Sequence, residues 1–144
     1  MKILSKSLEE TIKAAENFVK GLKMGERSTV VTLSGELGSG KTTFSQAVGD
    51  ILGVSETMQS PTFVIEKIYP IDYKGFKNLI HIDAYRLENE TELLHLGWEE
   101  IIKERENLIL LEWPERVAEI IPSDARKIYF EHINAETRAI NYEE

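Results

Sequence analysis

Lys41 and Thr42 close the string Gly35-Glu36-Leu37-Gly38-Ser39-Gly40-Lys41-Thr42, which fits G-x-x-x-x-G-K-[ST]. Each residue type in that pattern has a chemical reason. Glycines let the backbone wrap a phosphate chain with its N–H groups turned inward as an anion nest. A lysine at position 41 brings a point charge to the β- and γ-phosphates, and the Thr42 hydroxyl suits a Mg²⁺ coordination sphere. Leu37, Gly38, Ser39, Gly40, Lys41, Thr42 and Thr43 are the expected nucleotide contacts of this loop. Hydrolysis of the bound nucleotide also needs a carboxylate, usually at the end of an apolar strand. Two runs supply one: Leu79-Ile80-His81-Ile82-Asp83 and Leu108-Ile109-Leu110-Leu111-Glu112. Asp83 and Glu112 are therefore the candidate metal ligands and catalytic acids. One would act on the metal directly and the other through water, or on the attacking water itself.

The elements around the loop are those the chemistry requires. Thr29-Val30-Val31-Thr32-Leu33 reads as a buried strand. Lys41 to Leu52 carries Phe44, Val48, Ile51 and Leu52 at helical spacing, with Gly53 as a stop. Strand, glycine loop and helix aim a helix N-terminus at the phosphates. Upstream, Ser7 and Glu10 form a capping-box pattern for an amphipathic helix through Leu22. Pro61 to Tyr69 and Asn78 to Tyr85 read as two strands joined by a loop over Pro70 to Lys77, hence antiparallel. Asn89 caps a helix that turns at Gly97, and Trp98 to Glu104 forms the next. Leu108 to Glu112 reads as a central strand buried on both faces. Pro114 starts a short helix through Ile120. Lys127 to Ile133 and Thr137 to Tyr142 form a last antiparallel pair turned at Asn134. The pattern predicts an α/β, P-loop NTPase-like three-layer fold, a mixed parallel and antiparallel sheet flanked by helices, in a single domain over residues 1–144.

Composition narrows the function classes. The 144 residues are 42% apolar, contain no cysteine and carry a net charge of −8. A disulfide framework, a thiol nucleophile and a Cys-ligated metal are thus excluded. No strongly basic block exists to neutralise a nucleic-acid backbone, so tight direct binding of RNA or DNA is not expected. The N-terminal residues lack an apolar signal region and no run is long enough for a membrane span, so the expected location is the cytoplasm, away from the membrane. His81 on a strand, His95 in a helix and His132 near the last turn share no metal-ligand spacing and are expected to be structural or exposed. Ser60-Pro61-Thr62-Phe63 reads as a turn, although Thr62 has the hydroxyl for a switch ordered by the γ-phosphate and metal.

Taken in order, GELGSGKTTF, SPTF, HIDAYRL and LLEWPE resemble the bacterial TsaE family over residues 7–140 or so. That resemblance implies an ATP- and Mg²⁺-binding protein that hydrolyses ATP to ADP slowly. It implies service to threonylcarbamoyladenosine modification at position 37 of tRNAs reading codons that begin with A. The implied partners are a TsaD-like threonylcarbamoyl-transferase and a TsaB-like scaffold subunit, with tRNA met only through that complex. By the match of motifs, Lys41 takes the phosphate-lysine role and Thr42, Asp83 and Glu112 the metal and catalytic positions. Thr62 becomes a switch-like threonine and Trp113 a functional residue beside the acid; Thr11 and Arg138 become adenine contacts. Arg86 is the nearest candidate for an arginine finger in cis. Glu36 stands where the family usually has Asp, and Ala84 where it usually has Leu. Two other readings of the same loop are a small-molecule kinase and a nucleotide-gated binding module that does not hydrolyse.

Overall fold

The computed structural model describes residues 2–36, 38–54 and 66–142. Its elements are β1 (Lys2–Ser5), α1 (Leu8–Lys20), β2 (Thr29–Ser34), α2 (Lys41–Ile51), β3 (Glu66–Tyr73), β4 (Phe76–Asp83), α3 (Glu90–His95), α4 (Trp98–Lys103), β5 (Asn107–Glu112), a 3-10 segment (Pro114–Ile120), β6 (Arg126–His132) and β7 (Arg138–Tyr142). The strands form one sheet in the order β1-β7-β6-β2-β5-β4-β3. β2 runs parallel to β5 and β6, and β4 runs parallel to β5. The edges are antiparallel: β3 on β4, β7 on β6 and β1 on β7. This is the predicted P-loop NTPase-like arrangement of a mixed sheet between two helical layers.

Side-chain alternation along the strands divides the core. Val31, Leu33, Leu79, Leu108, Leu110, Ile128 and Ile140 face α1 and α2, where Phe18, Phe44 and Val48 meet them. Val30, Ile80, Ile82, Ile109 and Leu111 face the other way, onto Leu93, Trp98 and Val117 of α3, α4 and the 3-10 segment. β5 is buried at all six positions, as its unbroken apolar run predicts for a strand covered on both sides. Each of its leucines gains roughly 1.5–3 kcal/mol on burial.

The helix signals in the sequence operate as local chemistry. Ser7 Oγ accepts from the Glu10 N–H at 3.1 Å, and Glu10 reaches back to the Lys6 N–H at 3.0 Å. Asn89 Oδ1 accepts from the Thr91 N–H at 3.0 Å. Asn134 Oδ1 accepts from the Glu136 and Thr137 N–H groups, which makes the expected β6–β7 turn.

Three details differ from the sequence reading. The loop expected over Pro70 to Lys77 is mostly strand: β3 continues to Tyr73, β4 begins at Phe76, and the turn is Lys74-Gly75 with φ of 49° and 93°. Two successive positive φ values make a primed turn, whose twist matches the strands it joins. β1 has no counterpart in the sequence pattern, being only four residues long and held by its register on β7. The helix after Pro114 is a 3-10 segment broken at Val117, where φ is −134°. The first part of the strand expected from Pro61 lies outside the described residues, as does Ser60-Pro61-Thr62-Phe63.

Candidate functional site

Parallel β2, β5 and β4 end side by side, so their carboxyl ends share one edge with the start of α2. Open α/β sheets place ligand sites outside such strand ends. Gly35 leaves β2 with φ +153°; a Cβ there would come within 2.5 Å of the Phe130 carbonyl oxygen and 2.7 Å of Ser39 Oγ. Gly40 is the N-cap of α2, with φ 107° and no side chain to cap the helix. The first-turn amides of α2, at Lys41, Thr42 and Thr43, thus take no side-chain cap from Gly40 and suit an external acceptor. The helix dipole favours an anion at the same point. A Cβ on Gly40 would meet Arg138 Cδ at 2.7 Å, so the Arg138 stem lies directly against the loop.

Lys41 is buried, and its ammonium is turned onto its own loop. Nζ donates to the Gly35 carbonyl and, at 3.3 Å, to that of Glu36. It also sits 3.8 Å above the centre of the Trp113 ring. Burial pushes the ammonium below the ordinary lysine value, and the Glu112, Glu115 and Asp83 carboxylates oppose that shift. Lysine and acids are thereby close enough to feel one another across the strand ends.

The two acids pair in register at the ends of β4 and β5. Alternation puts both on the α2 face, continuing the rows of Leu79 and Leu110. Asp83 is half-buried, and its Oδ1 accepts from the Tyr85 N–H at 3.0 Å, which fixes the turn after β4. Glu112 is 2% exposed and is bonded to His81 across the sheet at 2.6 Å. Trp113 follows at φ 60°, ψ 52°, a left-handed conformation rare for an indole residue. Its N–H donates to the Leu33 carbonyl at 3.3 Å, tying the end of β5 to the start of the glycine loop. Its ring packs on Tyr85 at 4.9 Å. Gly35, Glu36, Tyr85, Trp113 and Glu115 line a cavity of about 560 Å³ at the mouth of the loop.

The family model described as Threonylcarbamoyl adenosine biosynthesis protein TsaE matches residues 5–140. The chain belongs to the TsaE family. It is 34% identical to the tRNA threonylcarbamoyladenosine biosynthesis protein TsaE of Bacillus subtilis, over 93% of this chain and 79% of that protein. Against the protein of the same name from Borreliella burgdorferi it is 35% identical, over 83% and 82% respectively. The crystal structure of Bacillus subtilis YdiB has the same fold, with a TM-score of 0.77 and 28% identity over 99% of this chain and 83% of that one.

The structure brings most of the residues singled out in this TsaE sequence to one edge. Gly38, Ser39, Gly40, Lys41, Thr42 and Thr43 form the end of the loop and the first turn of α2. Asp83, Glu112 and Trp113 face them from β4 and β5. Thr11 and Arg138 sit on the flank, linked through β1: Ser5 pairs with Arg138 in register, and Ser5 Oγ lies 2.6 Å from Thr11 Oγ1. The Thr11 hydroxyl is buried in that contact, so Arg138 is the member of the pair that borders the loop. Arg138 Nε is itself buried and has no hydrogen-bond partner among the described residues. Arg86 is exposed in the turn after β4. Leu37 and Thr62 lie outside the described residues. Among the described residues no cluster of three His, Cys, Asp or Glu side chains could hold a metal unaided. Tyr85 and His81 give no site signal in the sequence, because an exposed aromatic and a strand histidine carry no spacing of their own.

Proposed function

We propose that this protein is a slow, Mg²⁺-dependent ATPase of the cytoplasm that serves threonylcarbamoyladenosine modification of tRNA. In this reading it acts on a complex of a TsaD-like transferase and a TsaB-like scaffold, and meets tRNA only there. The observation that carries the reading is Lys41 at the uncapped N-terminus of α2, faced by two acids from adjacent strand ends. Family membership supports the pathway, since the matching family is described by threonylcarbamoyl adenosine biosynthesis.

The residues present fit a magnesium nucleotide. The first-turn amides lack a capping side chain, as a phosphate site requires. A hydroxyl and one or two carboxylates suit Mg²⁺, which keeps waters and substrate oxygens as its other ligands. Thr42 with Asp83 or Glu112 would hold the ion, which supplies charge neutralisation at the β- and γ-phosphates when bound. Lys41 would move from the Gly35 carbonyl to the phosphates. One of the two acids orients water for in-line attack at the γ-phosphorus. The work of the chain is then positioning and charge stabilisation, with no covalent intermediate. Arg86 is the candidate for an arginine finger in cis; an arginine supplied by a partner in trans would raise turnover by ~10³-fold or more.

ATP turnover measured alone and with both partners plus tRNA tests the reading. Slow hydrolysis alone and a large rise with partners are expected; equal rates with and without them count against it. Lys41→Ala should abolish ATP binding in a calorimetric titration, and retained submicromolar affinity would overturn the nucleotide assignment.

A further inference from the structure

His81 lies on β4 two residues before Asp83, on the α2 face of the sheet. Its side chain is 1% exposed and its Nε2 is 2.6 Å from Glu112 Oε2. The contact is diagonal, since Leu110 stands opposite His81 and Glu112 stands opposite Asp83. An ionised carboxylate can only accept, so Nε2 carries the hydrogen of this bond, and in the neutral ring Nδ1 is then the bare nitrogen. Nδ1 is buried and has no hydrogen-bond partner among the described residues. A histidine kept in a core for stability alone is expected to have both nitrogens satisfied. Here one nitrogen meets no partner among the described residues, and the other is given to the acid that ends β5.

The bond has a definite consequence for Glu112. The last torsion of a glutamate side chain is broad, so an unheld carboxylate swings over a wide arc. Fixing Oε2 to a ring that is itself buried on the α2 face of the sheet fixes the direction of the other oxygen. Outer groups that orient a ligating or catalytic carboxylate work in this way, and losing one typically lowers affinity or activity by roughly 10–100-fold.

We propose that His81 is a positioning residue of this site, which sets the Glu112 carboxylate in the orientation its chemistry needs. The proposal rests on the ATPase reading above. It predicts that His81 acts through Glu112 and has no separate effect on nucleotide.

The test uses the full chain with its partner complex and tRNA. Wild type is compared with His81→Leu, His81→Gln, His81→Asn, Glu112→Gln and the His81→Leu/Glu112→Gln double variant. A glutamine amide nitrogen falls near the position of Nε2, whereas that of asparagine falls near Nδ1 and does not reach Oε2. Expected for His81→Leu is a fall in kcat of roughly 10–100-fold, with the affinity for a non-hydrolysable ATP analogue, read by calorimetry without Mg²⁺, unchanged within about twofold. His81→Gln should recover most of the loss and His81→Asn should not. The double variant should be no slower than Glu112→Gln alone, because residues that act as a unit are not additive. Full turnover in folded His81→Leu, equal recovery by asparagine and glutamine, or a further loss on the Glu112→Gln background would each overturn the proposal. If His81→Leu does not fold, the glutamine and asparagine pair decides alone. No turnover by wild type with its partners overturns the ATPase reading and the proposal together, which separates that failure from the others.

Discussion

Lys41 has two sets of partners available and in this structure holds the inner one. Its ammonium spends its hydrogen bonds on Gly35 and Glu36 carbonyls and its charge on an indole face. A polyphosphate must therefore replace contacts the lysine already has. Glu66 shows the opposite situation, a half-buried carboxylate with little to meet it among the described residues. It opens β3, its Oε1 is buried without a hydrogen-bond partner among the described residues, and burial pushes it above the ordinary carboxylate value. The native state then binds the proton more tightly than the unfolded chain. Below the ordinary value both states are protonated and no penalty exists. Between the ordinary value and the raised one, stability falls as pH rises, and above both the full penalty remains. Glu66→Gln should thus match wild type in acid and be the more stable protein near neutrality. Urea midpoints across pH check this, and parallel curves for the two proteins would refute it. The residue scale was only partly legible in the sequence. Lys41, Thr42, Asp83 and Glu112 announced themselves by motif or by their place at a strand end. His81 reads locally as structural or exposed, because its partner is 31 residues away. A diagonal pair on neighbouring strands is a fact of register, which no local spacing encodes. His95 and His132 are exposed, as expected.

Among the elements, the turn from β2 into α2 has the least room for change. Gly35 adopts φ +153° with the Phe130 carbonyl 2.5 Å from where a Cβ would be. Backbone cannot yield as a flexible side chain does, so Gly35→Ala strains both the loop and β6. A loss of roughly 1–3 kcal/mol is expected, together with weaker nucleotide binding. Denaturant midpoints and calorimetry on the same variant measure both, and an unchanged midpoint would refute the close packing described for the loop. The capped helices, the buried β5 and the β6–β7 turn could be read from sequence, because each depends on neighbours within a few residues. Two features of the β3–β4 hairpin hide its strands in the sequence. Pro70 argues against strand, yet on an edge strand its missing N–H need not face a partner. Lys74-Gly75 is a primed turn in which lysine, an uncommon choice, takes positive φ. β1 could not be found locally, since four residues become a strand only by meeting β7.

For the molecule as a whole, the order β1-β7-β6-β2-β5-β4-β3 was beyond the reach of periodicity. Six of the seven strands and the mixed character of the sheet follow from patterns; which strand neighbours which follows from long-range packing. In this case the order decides the site, because it sets the ends of β2, β5 and β4 side by side. A ligand bound there by loop, helix and two strands stabilises every element it touches. Saturation at 100 times Kd is worth about 2.7 kcal/mol, which for a chain of this size raises Tm by roughly 5–10 °C. ATP with Mg²⁺ should give that rise in a thermal melt of wild type and none in Lys41→Ala; equal shifts would mean the nucleotide binds elsewhere. The same geometry gives the chain an optical voice. It has two tryptophans. Trp98 is sealed in the core at 2% exposure, a steady emitter against which change can be judged. Trp113 lies under a cation that ligand binding would draw away. Emission from the second indole, read against the first, therefore reports the position of Lys41 in real time, in the native chain and without a label.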